Sequence, residues 1–193
     1  MFTGIIEAMA KVLSFEGNTL QIERPRNYER LHVGQSIAVN GACLSLTKFS
    51  RKFLEFTVVP ETLSRTNLAH ATILNLERAL PVNGRFNGHV VLGHGDDVLP
   101  IIKIQESFPG RMYSFKIPEK LSPFLVEKGS VALNGVSLTI AKISKKSFSV
   151  AIIPQTLAMT NFGSLHISDL VNIEVDSMAK YWLKWHSSHL RHC

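Results

Sequence analysis

Residues 40–46 read Asn-Gly-Ala-Cys-Leu-Ser-Leu, and residues 134–140 read Asn-Gly-Val-Ser-Leu-Thr-Ile. Ile37 and Val39 alternate into the turn-prone Asn40-Gly41, and Leu44 and Leu46 carry the alternation beyond it. This is the signature of two short strands joined by a tight turn. The stretch is written twice. At an offset of 94, Ser36–Asn67 aligns with Ser130–Asn161, and thirteen of the 32 positions are identical, among them Asn40, Gly41, Leu44, Pro60, Thr62, Leu63, Thr66 and Asn67. Chance at ordinary residue frequencies supplies about two. After a three-residue slip, Asn75-Leu76-Glu77 matches Asn172-Ile173-Glu174. A period this long marks duplication of a whole domain and is far beyond that of a solenoid.

Both halves read as β. Leu54, Phe56 and Val58 alternate in the first half, as do Phe148, Val150 and Ile152 in the second. Short strands punctuated by turns every 8–12 residues predict a closed barrel or a sandwich. Pro60-Glu61-Thr62-Leu63 and Pro154-Gln155-Thr156-Leu157 predict short helical turns with proline at an early position. The domains are expected at residues 1–90 and 91–176, with a helix and tail over 177–193. In that tail Met178, Trp182 and Trp185 recur at helical spacing, with Asp176 or Ser177 as N-cap. Such a helix either packs on its own barrel or forms a subunit contact, where Trp is enriched.

Composition narrows the function. Apolar residues make up 45% of the 193-residue chain. Units of about 90 residues bury only roughly 60–65% of their unfolded surface, so halves or subunits are expected to support one another. No stretch approaches the roughly 20 apolar residues of a membrane span, and the start has neither a basic region nor a long apolar run, so a soluble cytoplasmic protein is expected. The two cysteines, Cys43 and Cys193, are neither a disulfide framework nor a zinc ligand set. The net charge of +6 comes from scattered Lys and Arg with no run longer than two, which argues against nucleic acid.

Few residues carry chemistry. No phosphate-binding glycine motif is present. His89 and His94 are five apart, which fits neither a helical zinc pair nor a strand pair on one face, so no metal is expected. Cys43 follows a turn and so lies near a barrel end. Its repeat partner is Ser137, and serine is a poor replacement for pure packing. Ser45 and Thr139 lie two residues on, on the same strand faces. Thr62 and Thr156 also match, either as caps of their Pro-x-Thr turns or as pocket residues. Each half thus offers a pocket suited to hydrogen-bonding a flat heterocycle.

At this point the sequence resembles a known family. The resemblance rests on Met1-Phe2-Thr3-Gly4-Ile5-Ile6-Glu7, the Asn40-Gly41-x-Cys43-Leu44 strand, Pro60-Glu61-Thr62-Leu63-x-x-Thr66-Asn67, Asn75-Leu76-Glu77-Arg78-Ala79, Gly88-His89-x-x-x-Gly93-His94, Asn134-Gly135-Val136-Ser137-Leu138-Thr139 and Val171-Asn172-Ile173-Glu174-Val175-Asp176. In this order, over nearly the whole chain, they resemble riboflavin synthase of the alpha-chain type, a family of lumazine-binding barrels. The resemblance implies an all-β fold of two similar six-stranded Greek-key barrels plus a short C-terminal α-helix, assembled as a homotrimer. It implies dismutation of two 6,7-dimethyl-8-ribityllumazine molecules by four-carbon transfer, giving riboflavin and 5-amino-6-(ribitylamino)uracil without cofactor or metal. It also implies association with lumazine synthase as a partner.

The resemblance further implies site residues. An N-terminal pocket would comprise Gly4, Ile5 and Ile6, then Cys43, Leu44 and Ser45, then Thr57, Val58, Val59, Pro60, Glu61 and Thr62. A C-terminal pocket would comprise Gly93, His94 and Gly95, then Lys128, then Ser137, Leu138 and Thr139, then Ala151, Ile152, Ile153, Pro154, Gln155 and Thr156. Cys43 and Ser137 would activate or deliver a nucleophile, His94 would transfer a proton, and Asp176 would orient or polarise one of them. The chain departs from the family at Gly93-His94-Gly95-Asp96-Asp97, where the family often has Gly-His-Val-Asp-Gly, and Ser45 stands for a usual Thr. Two other classes remain: a non-catalytic lumazine- or flavin-binding protein of the same fold, whose members tend to lose the thiol and the histidine, and an OB-like nucleic-acid binder.

Overall fold

The computed structural model describes residues 1–189; Cys193 and the end of the 177–193 tail lie outside the described residues. The first half contains β1 (Ala8–Glu16), β2 (Thr19–Glu23), β3 (Ser36–Val39), β4 (Ala42–Phe49), β5 (Phe53–Thr57), α1 (Pro60–Arg65) and β6 (Ile73–Arg78). The second contains β7 (Asp97–Ser107), β8 (Gly110–Lys116), β9 (Ser130–Leu133), β10 (Val136–Ile143), β11 (Ser147–Ile152), α2 (Pro154–Met159) and β12 (Leu170–Val175), and is followed by α3 (Ser177–His189). Each half is a closed antiparallel barrel, ordered β1-β2-β5-β4-β3-β6 in one and, equivalently, β7-β8-β11-β10-β9-β12 in the other. The register slips at matching places, between Val12 and Ser14 and between Ile101 and Lys103, and again between Leu46 and Lys48 and between Ile140 and Lys142. A bulge adds twist, which lets six short strands curl into a closed cylinder.

Strand alternation sorts the residues as the pattern predicts. Leu44 and Leu46 are buried in the first core, and Leu138 and Ile140 in the second, while Cys43 and Ser137 are half-buried on the outer face. The two cores are separate. Leu20, Leu46, Leu54 and Phe56 fill one barrel, and Phe115, Leu133, Ile140 and Phe148 fill the other. Between them lies a small apolar patch of Phe2, Ala38, Val91 and Ala132, with Cys43 packed against it. So little apolar surface leaves the mutual orientation of the barrels to polar contacts.

Those contacts are built from the repeated Asn-Gly turn. Asn40 and Asn134 both take φ 46°, and Gly41 and Gly135 both take φ 78°, the left-handed geometry that a two-residue hairpin turn requires. The two turns abut tip to tip. A Cβ on Gly41 would lie 2.7 Å from the Gly135 nitrogen, and one on Gly135 would lie 2.8 Å from that of Gly41. Around this contact four buried carboxamides close a ring. Asn40 Nδ2 donates to Asn67 Oδ1 (3.1 Å), Asn67 to Asn134 (3.3 Å), Asn134 to Asn161 (3.4 Å) and Asn161 back to Asn40 (3.1 Å). Asn75 and Asn172 brace it from either side: Asn75 Nδ2 donates to the Asn134 carbonyl at 3.0 Å, and Asn172 Nδ2 to the Asn40 carbonyl at 2.8 Å. All six are buried, and bonds of the ring cross the seam in both directions.

Truncating Asn161 to Ala removes its acceptor for Asn75 Nδ2 and Asn134 Nδ2 and its donor to Asn40 Oδ1 and the Ile73 carbonyl. Each buried group left unpaired costs about 1–3 kcal/mol, so the variant is expected to lose roughly 2–5 kcal/mol of stability, read as a lowered urea midpoint.

Candidate active site

Two sites with one construction flank the seam. At the first, the Cys43 N–H donates to the Gly93 carbonyl at 2.8 Å; at the second, the Ser137 N–H donates to the Gly4 carbonyl at 2.8 Å. Both covering residues must be glycine. Gly93 has φ +81° and its Cβ would lie 2.5 Å from that of Cys43, and Gly4 has φ +77° and its Cβ would lie 2.6 Å from that of Ser137. Each covering segment hangs on a buried carboxylate. Glu77 on β6 accepts the Thr3 and Gly4 N–H groups (2.7 and 2.9 Å) and the Thr3 hydroxyl (2.9 Å). Glu174 on β12 accepts the N–H groups of Leu92 (2.7 Å), Gly93 and His94 (both 2.9 Å). Burial pushes both carboxyls above the ordinary glutamate range, and the convergent donors pull them part of the way back.

This geometry corrects the pocket groupings expected from the sequence. Gly4, Ile5 and Ile6 do not join Cys43: Gly4 covers Ser137, and Ile6 is buried in the core of the second barrel. Gly93, His94 and Gly95 do not join Ser137: with Cys43 and Thr62 they line a cavity of about 360 Å³ that also includes Thr66, Arg65, Asp96 and Lys180. The physical reason is an exchange. The segment anchored on the last strand of each barrel lies across the fourth strand of the other, because Thr3-Gly4 on β6 reaches β10 and Leu92–His94 on β12 reaches β4.

The remaining expected residues fall into three groups. Leu44, Val58, Leu138 and Ile152 point into the barrel cores. Ser45, Thr57, Pro60, Glu61, Thr139, Ala151, Pro154 and Gln155 are exposed, as are the apolar Val59 and Ile153 at matching positions. Thr62 and Thr156 do not cap their helices; the caps are Val59 and Ile153, without a side-chain bond, and each threonine carbonyl instead accepts the hydroxyl of Thr66 or Thr160. Lys128 is exposed, with its backbone N–H on the Ile140 carbonyl, three residues along β10 from Ser137.

The second site contains a residue that the sequence reading passed over. His89 Nδ1 lies 2.7 Å from the Ser137 hydroxyl oxygen, and His89 is buried. Burial lowers the affinity of this imidazole for a proton, and the charge of Asp176 raises it in part. Asp176 also accepts the Met178 N–H at 2.9 Å and so caps α3. Ser137 and His89 therefore form a hydroxyl–imidazole pair at the second site, within the field of the Asp176 charge, whereas the first offers the Cys43 thiol with His94. In the sequence His89 stood as a failed metal partner of His94 and as part of the Gly88-His89-x-x-x-Gly93-His94 stretch, with no role of its own. Its signal is a contact across 48 residues.

Comparison with known proteins agrees with this architecture. The lumazine-binding domain matches the chain twice, over residues 3–79 and 92–176. Riboflavin synthase of Actinobacillus pleuropneumoniae is 40% identical over 188 residues, 94% of this chain and 87% of the relative. That of Bacillus subtilis is 39% identical over 192 residues (96% and 89%), and that of Schizosaccharomyces pombe 35% over 199 residues (98% and 96%). Among solved structures, LumP complexed with riboflavin superposes with a TM-score of 0.82 at 25% identity, covering 91% of this chain and 99% of its own. The chain belongs to the riboflavin synthase family, each of its halves being a lumazine-binding domain.

Two outcomes follow from the geometry. Gly93→Ala places a methyl inside the backbone of β4 at a positive φ and is expected to cost about 2 kcal/mol or more in thermal unfolding. Gly95→Ala, whose Cβ would meet Thr66 Cγ2 at 3.4 Å and the Arg65 carbonyl at 3.5 Å, is expected to cost much less. Because His89 binds its proton more weakly folded than unfolded, its contribution to stability is present above the unfolded value of about 6.5 and is lost as pH falls below it. His89→Gln should flatten that acid limb of a stability–pH curve.

Proposed function

We infer that this chain catalyses the riboflavin synthase reaction, in which one 6,7-dimethyl-8-ribityllumazine gives a four-carbon unit to a second, yielding riboflavin and 5-amino-6-(ribitylamino)uracil. One observation carries this reading: the two sites share a frame and differ in chemistry. Cys43 matches Ser137, and His94 follows Gly93 where Ile5 follows Gly4. A dismutation needs two sites that recognise the same molecule and treat it differently. Each barrel also exposes an apolar side chain at the head of its proline-led helix, Val59 in the first and Ile153 in the second, surface fit to lie against a flat ring. Residues 1–90 and 91–176 are the two lumazine-binding units, with 177–193 as helix and tail.

The roles follow from the neighbours. At the second site, Ser137 with His89 behind it is suited to activating a hydroxyl or water that adds to C7 of one lumazine. At the first site, Cys43 and His94 are suited to receiving the proton that the 7-methyl group of the other must lose. Holding the two rings in reacting distance supplies up to about 7–11 kcal/mol of the barrier. The donor and acceptor sites belong to neighbouring chains of a homotrimer. Support for this assembly comes from α3, whose Met178, Tyr181, Trp182 and Trp185 are all more than half exposed.

The test is direct. Purified protein incubated with the lumazine should form riboflavin; lumazine bound without riboflavin would make the chain a carrier and defeat the enzyme reading. Cys43→Ser should keep the unfolding midpoint while turnover falls at least about tenfold, and unchanged turnover would reduce Cys43 to a strand residue. Protein shown to be monomeric by sedimentation should be inactive, and full activity in that monomer would rule out a site shared between chains.

A further inference from the structure

The matching anchors of the two covering segments differ in one charge. After Gly4, Glu7 Oε2 accepts the Arg78 N–H at 3.1 Å; after Gly93, Asp96 Oδ2 accepts the Val175 N–H at 2.9 Å. These are the same clamp, an acid closing the segment onto the residue that follows Glu77 or Glu174. In the first half the balancing cation is on that same residue, with Arg78 Nε 2.8 Å from Glu7. In the second half that residue is the apolar Val175, and the cation comes from another element: Lys180 of α3, with Nζ 2.7 Å from Asp96 Oδ1. Arg78 lies over the Tyr28 ring, 4.8 Å from its centroid, whereas Lys180 lines the cavity with Cys43 and His94.

We propose that Lys180 is a positioning residue for His94, the means by which α3 fixes the first site. Asp96 stands two residues after His94, and the segment is pinned on both sides of Gly95: the His94 N–H on Glu174, the Asp96 N–H on the Ile173 carbonyl at 2.8 Å, and the Asp96 carboxylate on Val175. Asp96 is only one-fifth exposed, and the Lys180 ammonium holds its Oδ1 while Oδ2 takes the Val175 N–H. Without Lys180 the carboxylate turns toward water, the Val175 N–H is released, and the backbone carrying His94 loses its third pin. The barrel beneath is untouched. This inference rests on the riboflavin synthase reading for its kinetic consequence only.

The test compares Lys180→Met, Lys180→Arg and Asp96→Asn with the parent chain. Displacing a reacting group by a fraction of an ångström is expected to lower kcat roughly tenfold in Lys180→Met and Asp96→Asn, with KM within about threefold. Lys180→Arg should recover at least half of the parent kcat, and all three should keep the parent unfolding midpoint within a few degrees. Parent-like kcat in Lys180→Met, or a Lys180→Arg as impaired as Lys180→Met, would overturn the proposal. If the parent chain makes no riboflavin, the reaction assignment fails on its own, and the proposal is read from the imidazole NMR signals. The His94 signal should then shift or broaden in Lys180→Met while that of His89 stays in place; an unmoved His94 signal would overturn it.

Discussion

The closed ring of Asn40, Asn67, Asn134 and Asn161 is the constraint from which the rest follows. Each carboxamide gives a hydrogen bond to the next and takes one from the last, in a single sense of rotation, so the bonds polarise one another. Two filled barrels could slide or rotate against each other at little cost through the small apolar patch between them. Buried amides cannot, because each misalignment strands a donor or acceptor. The ring therefore converts a weak apolar contact into one orientation. The glycine tips at Gly41 and Gly135 let the backbones come close enough for the ring to close.

That orientation sets the chemistry. Cys43 and Ser137 each stand two residues past the Asn-Gly turn, so the same turn fixes the seam and places both nucleophile-capable groups. With the barrels locked, the segments held by Glu77 and Glu174 meet the opposite barrel, and each lays a glycine over one of those groups. The duplication gives two equal frames. Sequence divergence then fills one with a thiol beside a histidine and the other with a hydroxyl backed by His89.

Much of this was legible in the sequence, and the limits have physical causes. The offset of 94 revealed the duplication, alternation sorted Leu44 and Leu138 inward from Cys43 and Ser137, and the proline-led turns became α1 and α2. The identity of Asn40 and Asn67 with Asn134 and Asn161 was visible, but their purpose was not. A ring is a relation among four distant positions, and periodicity reports only neighbours. The exchange of Gly4 and Gly93 between barrels was hidden for the same reason. The resemblance assigned each segment to one pocket, and hydrogen bonds to the other barrel decide where it acts. His89 escaped because its partner Ser137 is 48 residues away.

The exchange of covering segments also imposes an order of assembly. Chains emerge from synthesis N-terminus first, and domains fold as they appear. The first barrel has all its strands once β6 is made, yet Cys43 stays bare until residues 92–94 follow and Glu174, near the end of the second barrel, arrives to hold them. Thr3 and Gly4, made before any strand of either barrel, can fasten to Glu77 long before the Ser137 strand they will cover exists. A product cut short before β12 would thus carry an uncovered thiol and an unemployed flap, and the reactive surface is completed only once Glu174 has been made.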